Sequence, residues 1–126
     1  MEKIIALILL IAAEFGLPPY YVLSIALTEN ETLDPLAVNV NRNGTRDLGV
    51  MQVNSSWFKG DWRDPETNIR AGCKLIKELS DKGLNWWQVA IAWNCGYGRL
   101  ISAQGPPNSS IEYANRVFER WNTYKK

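Results

Sequence analysis

Glu29, Asp47, Gln52 and Asn54 are carboxyl and amide residues close enough in sequence to do acid–base chemistry on a hydroxyl-rich ligand. Glu29 closes a segment in which Val22, Leu23, Ile25, Ala26 and Leu27 cluster at helical spacing, and Pro18 or Pro19 suits the first helical turn. A carboxyl group at the end of a buried helix, facing apolar and aromatic neighbours, is costly to ionise and can stay protonated near neutral pH. A general acid that protonates a glycosidic oxygen needs that property. Taken alone, Glu29 reads better as an ordinary solvated residue at a helix terminus.

The residues that follow favour the chemical reading. Asn39 to Asp47, NVNRNGTRD, has no long apolar run and predicts a polar loop or short hairpin around Asn43-Gly44, a segment able to reach sugar hydroxyls. In LGVMQVNSSWF, Gln52 and Asn54 offer both donor and acceptor among apolar Val50, Met51 and Val53. Amides and aromatics together match the edge and the faces of a pyranose ring. Asp47 has two readings, a second carboxylate for bond cleavage or a turn residue bonded to Thr45 or to backbone amides.

Three blocks carry a resemblance to the lysozyme superfamily, and within it to the lytic transglycosylase branch. IALTENETLDPLAVN resembles the helix with the catalytic glutamate, GTRDLGVMQVNSSWF the G-[LIV]-M-Q block, and VAIAWNCGYGRL with SIEYANRV the Tyr-Asn-x-Gly and Tyr-[AV]-x-x-Val blocks. The resemblance implies cleavage of the β-1,4 bond between N-acetylmuramic acid and N-acetylglucosamine in peptidoglycan, with Glu29 as the acid/base and a 1,6-anhydro product. It implies that Met51 and Gln52 line the cleft floor, that Asn94 lies beside the acid and that Tyr113 lies behind it; Asn54, Trp93 and Tyr97 are further expected substrate-binding residues. Asn30 stands where the family has serine, and Pro35 lies one residue later than usual, which keeps Glu31 as a reserve acid. Trp93 replaces a tyrosine. The GTRDLGVMQVNS run is also similar to animal-type lysozymes, where an aspartate at the Asp47 position supplies a second carboxylate. Hydrolysis by Glu29 and Asp47 is therefore the alternative, and a glycan-binding module without catalysis a further one.

Composition limits the remaining classes. A chain of 126 residues fits one domain, 1–126. Net charge is +1 with no His, which argues against a nucleic-acid partner and against His-based catalysis. Metal-ligand spacings and phosphate-binding glycine patterns are absent, so neither metal nor cofactor is expected. Six Trp are many for this length; Trp121, beside Val117 and Phe118 at helical spacing, is expected in the core, and some of the others in a sugar-binding cleft. Cys73 and Cys95 flank the Gly83 turn almost symmetrically, so an antiparallel helix pair would bring them close; a disulfide and a buried small side chain both fit.

The expected helices cover residues 3–15, 18–30, 66–82, 86–95 and 109–122, with a loop or hairpin at 36–50 and a short helix at 54–59. The fold class is mainly α, a lysozyme-like helical domain with a small β-hairpin or loop lobe beside a substrate cleft. MEKIIALILLIAAEFG reads as a signal peptide or as a first core helix, and the resemblance favours the helix. It is too short for a confident membrane span. The expected partner is the peptidoglycan glycan strand, in the periplasm or at the cell wall, without stable membrane insertion. A monomer is expected, with a secretion apparatus or phage particle as candidate surroundings.

Overall fold

A computed structural model describes residues 1–125. Among them lie six helices and one three-stranded antiparallel sheet. The mainly α class with a small β element is therefore the observed one. The chain divides into two compact units, Met1–Lys74 and the residues from Leu75 on.

In the first unit, α1 (Glu2–Glu14) packs on α2 (Pro19–Glu29). The turn between them is a Schellman closure: Leu17 N–H donates to Ala12 O, Gly16 N–H donates to Ala13 O, and Gly16 takes φ +70°. Proline at the start of α2 sacrifices no hydrogen bond, because the first helical N–H groups have no partner inside the helix. Every residue from Tyr21 to Leu27 is buried, so α2 is enclosed on all sides rather than on one stripe. Ser24 and Thr28 satisfy their hydroxyls inside it by donating to Tyr20 O and Ser24 O, each at 2.7 Å.

The sheet is β1 (Val38–Val40), β2 (Arg46–Leu48) and β3 (Val53–Asn54), in that order. The β1–β2 turn falls at the expected Asn43-Gly44. Asn43 Oδ1 accepts from Thr45 N–H and Oγ–H, while Gly44 takes φ +85°. The short helix expected at 54–59 is not formed: Asn54 is the end of β3, and only a single turn follows it. Trp57 and Phe58 N–H donate to Asn54 O, and Gly60 at φ +136° then redirects the chain before helix can propagate.

Helix α3 (Pro65–Asp81) runs across the division between the units. Asp64 caps it by accepting from Thr67 N–H at 3.0 Å and Thr67 Oγ–H at 2.6 Å, which holds the Asp64 carboxyl below its ordinary value. A depressed carboxyl contributes stability that is present above its unfolded pKa and is lost as pH falls through the folded one.

In the second unit, α4 (Trp86–Cys95) packs on α6 (Asn108–Tyr124), with a single-turn helix, α5 (Tyr97–Leu100), between them in the chain. Asn85 and Gln88 close a reciprocal capping box at the start of α4, and Gly96 at φ +92° ends it. On α6, Ser110, Tyr113, Ala114 and Val117 form one buried stripe. Trp121 lies outside the buried core expected for it. It meets Phe118 edge-on, with Lys125 Nζ 3.8 Å from its ring centre. No helix of the described residues is long and apolar enough to cross a membrane.

Cys73 and Cys95 are free thiols, one buried and the other half-exposed. Burial pushes the Cys73 thiol up to about 12, against a smaller opposing pull from Arg70. In native protein, a thiol reagent at pH 8 is expected to label Cys95 and spare Cys73, with both labelled in denaturant. Peptide mass mapping checks this, and equal native labelling would show that the α3 face around Cys73 opens.

Candidate active site

Glu29 is the last residue of α2 and half-buried, directly after the fully enclosed stretch. The next residue, Asn30, is buried and organises the turn that leaves the helix. Its Nδ2 donates to Asp34 O at 3.0 Å and to Gly49 O at 3.2 Å, while its Oδ1 accepts from Asp34 N–H at 3.4 Å. Leu33, also buried, takes φ +53°, a backbone state rare for a side chain of this size.

Three donors converge on the Gly49 carbonyl: Asn30 Nδ2, Gln52 N–H at 3.2 Å and Gln52 Nε2 at 2.9 Å. Gln52 itself sits at φ +57°, and its side-chain amide is used at both ends. Nε2 also donates to Ala37 O at 3.2 Å, and Oε1 accepts from Asn39 Nδ2 at 2.7 Å. With both N–H bonds engaged, Gln52 orients Asn39, an exposed amide on β1.

Behind this loop stands Asn68 of α3, fully buried. Its Nδ2 donates to Leu48 O at 2.9 Å and to Trp62 O at 3.0 Å, and its Oδ1 accepts from Met51 N–H at 2.8 Å. A Cβ on Gly49 would collide with the Asn68 amide and with Trp62 O, so only glycine fits there, at φ +71°. Met51 is also fully buried, and its side chain fills the space above Gly72, where an added Cβ would meet it at 3.0 Å. Met51 thus supports the floor of the segment from beneath.

On the sheet, Asp47 pairs with Asn39 on one side and Asn54 on the other, so the three side chains share one face. Asn54 Nδ2 donates to Asp47 Oδ1 at 2.9 Å and to Thr45 Oγ1 at 3.1 Å. Asp47 is therefore a carboxylate bonded to a neutral amide, half-buried in a row of polar groups.

The second unit holds the other expected residues. Asn94 is exposed near the end of α4, and its Oδ1 accepts from the buried Ser110 hydroxyl at 2.7 Å, which fixes the orientation of the amide. Trp93 is half-buried on the same helix, and Tyr113 is buried on α6. Tyr97 begins α5 with Lys82 Nζ 4.6 Å over its ring. None of the six indoles is fully buried; Trp57 and Trp87 are the most open. Among the described residues, no group of three His, Cys, Asp or Glu side chains is placed to hold a metal ion.

The hydrogen-bonding roles of Asn30, Asn39 and Asn68 are not legible in the sequence. Asn68 left a trace, since it falls in line with the buried Ile69, Gly72, Cys73 and Ile76 of an amphipathic helix. A polar residue on an apolar stripe marks a buried hydrogen-bonding post.

Comparison with known proteins adds an independent line. The family description Transglycosylase SLT domain matches residues 7–115. The chain is similar to Lysozyme C of Dromaius novaehollandiae, 29% identical over 84 residues, which covers 67% of this chain and 52% of that protein. It is also similar to Protein IpgF of Shigella sonnei, 26% identical over 107 residues, covering 76% of this chain and 67% of that protein. The chain thus spans about half the length of the lysozyme that it matches.

Asn68→Ala removes both carbonyl donors and orphans the buried Met51 N–H. It is expected to lower the unfolding free energy by about 2–4 kcal/mol, read from urea denaturation. A loss under about 1 kcal/mol would mean that the Leu48–Met51 loop holds its shape without this amide.

Proposed function

Since the chain belongs to the transglycosylase SLT family, we propose that it cleaves the β-1,4 bond between N-acetylmuramic acid and N-acetylglucosamine in peptidoglycan, by a non-hydrolytic route. The observation that carries this reading is the anchoring of Glu29. It ends an enclosed helix, and the next residue is hydrogen-bonded to Gly49, the first residue of G-V-M-Q. The family match runs through both compact units, which supports reading 1–126 as one catalytic domain acting at the cell wall.

In this mechanism Glu29 begins protonated and gives its proton to the glycosidic oxygen as the bond to C1 breaks. The substrate's own acetamido oxygen shields the developing positive charge at C1. Glu29, now a carboxylate, takes the proton from the 6-hydroxyl, whose oxygen closes on C1 to give the 1,6-anhydro sugar. No water is consumed. Gln52 and Met51 shape the segment from within, whereas Asn39 offers its exposed amide to the glycan and Asn54, with both N–H bonds engaged, holds Asp47 and Thr45 in the polar row. For Trp93, Asn94, Tyr97 and Tyr113 the family membership supports a substrate-binding role.

Hydrolysis is the second reading, and the Asp47–Asn54 hydrogen bond favours it. The Asn54 amide holds the Asp47 side chain in place on the polar face of the sheet, where a second carboxyl group serves to support positive charge at C1 or to direct a water. The same bond also serves a purely structural row.

Mass spectrometry of soluble products from purified peptidoglycan separates these outcomes. Wild type is expected to release products lighter by one water than hydrolytic fragments, and Glu29→Gln to lower the rate about a hundredfold or more. Asp47→Asn is expected to cost less than about tenfold. Reducing-end products together with a large Asp47→Asn loss would replace this mechanism by two-carboxylate hydrolysis. No products from wild type would leave a glycan-binding role.

A further inference from the structure

The edge strand β1 has features that cleavage of the glycan does not use. It is the outer strand of the sheet, with β2 on one side only. Asn41 N–H donates to Thr45 O and Gly49 N–H donates to Ala37 O. By the alternation of an antiparallel ladder, Asn39 and Asn41 therefore aim their backbone groups at β2, as does the Ala37 carbonyl, and Val38 and Val40 aim theirs outward. The side chains along this edge are apolar and open: Leu36 is 62% exposed, Val38 42% and Val40 70%. Natural edge strands usually protect such a row, and those left open accept an added extended chain.

Charge gives the edge a direction. Arg46 is the cross-strand partner of Val40, Arg42 lies in the adjoining turn, and both are exposed. The ion pairs of the described residues occupy other cations, Arg70 and Lys77. At the opposite end Asp34 is exposed, its Oδ1 accepting from Leu36 N–H at 2.9 Å. The edge thus runs from an acid to two arginines, and an extended anionic peptide fits it with its carboxylate end at the hairpin turn.

We propose that β1 docks the stem peptide branching from the glycan, as a short extended anionic segment. The proposal rests on the glycan-cleaving reading above and deepens it. Asn39 shares the face of Asp47 and Asn54, whereas Val38 and Val40 belong to the opposite face of the same strand. A glycan lying on the polar row therefore passes its peptide branch over the rim of β1. Alanyl methyl groups of such a peptide meet Val38 and Val40, its carboxylates meet Arg42 and Arg46, and one outward residue suffices for a pair of backbone hydrogen bonds.

Two substrates test this, peptidoglycan strands carrying their stem peptides and the same strands stripped of them by an amidase. Wild type is expected to show about tenfold higher kcat/KM on the stem-bearing strands, chiefly through KM. Val40→Pro removes an outward N–H without breaking a bond to β2, and Arg46→Glu reverses the charge while leaving the backbone intact. Each is expected to bring the ratio of the two substrates to within about twofold of unity, with little change on stripped strands. Equal wild-type rates on both substrates, or equal losses on both in both variants, would overturn the docking. Self-association that Val40→Pro abolishes would assign the edge to a second copy and overturn it too. Cleavage of neither substrate by wild type would instead remove the glycan reading, and this proposal with it.

Discussion

The geometry of the candidate site depends on one carbonyl oxygen, that of Gly49. Donors from the end of the glutamate helix and from Gln52 meet on it. From the opposite side the Asn68 amide presses so closely on Gly49 that no side chain fits. Each of these bonds contributes only about 1 kcal/mol net, because unfolding returns the groups to water. Leaving any of them unmade in the buried loop costs more than making it yields. The network therefore holds as a unit, and it sets the exit of α2, the strained backbone of Gln52 and the orientation of Asn39 together.

Enclosure of α2 is the complementary constraint. A helix buried from Tyr21 to Leu27 has little freedom to rotate or slide, so the residue at its end is held in place. Polar hydroxyls within it cause no conflict, because each bonds a carbonyl of the preceding turn. The rigidity comes from packing and the direction of exit from Asn30. Glu29, half-buried between the two, inherits both.

Where local signals decide, the fold was legible from sequence. Helix α4 has the expected bounds because Asn85, Gln88 and Gly96 mark its ends within the segment itself. The Asn43-Gly44 turn is equally local. Strand β3 was not foreseen, since a two-residue strand has no periodicity and exists only through its pairing with β2. For the same reason Asn54 was placed at the start of a helix. The structural roles of Asn30 and Asn68 were not legible because their decisive partners, Gly49 and Leu48, lie 19 and 20 residues away, and an amide does not announce a distant carbonyl. Trp121 shows the opposite error, in which a helical neighbourhood suggested burial that the last turns of α6 do not provide.

The partial exposure of all six indoles gives the protein an optical property of its own. Rings in contact with water emit from a solvent-relaxed excited state, and Trp57 and Trp87, the most open, keep that contact in the folded chain. A ligand that covers an indole face expels that water and moves the emission toward the blue. Fluorescence in this chain consequently reports what lies on its surface as well as whether it is folded.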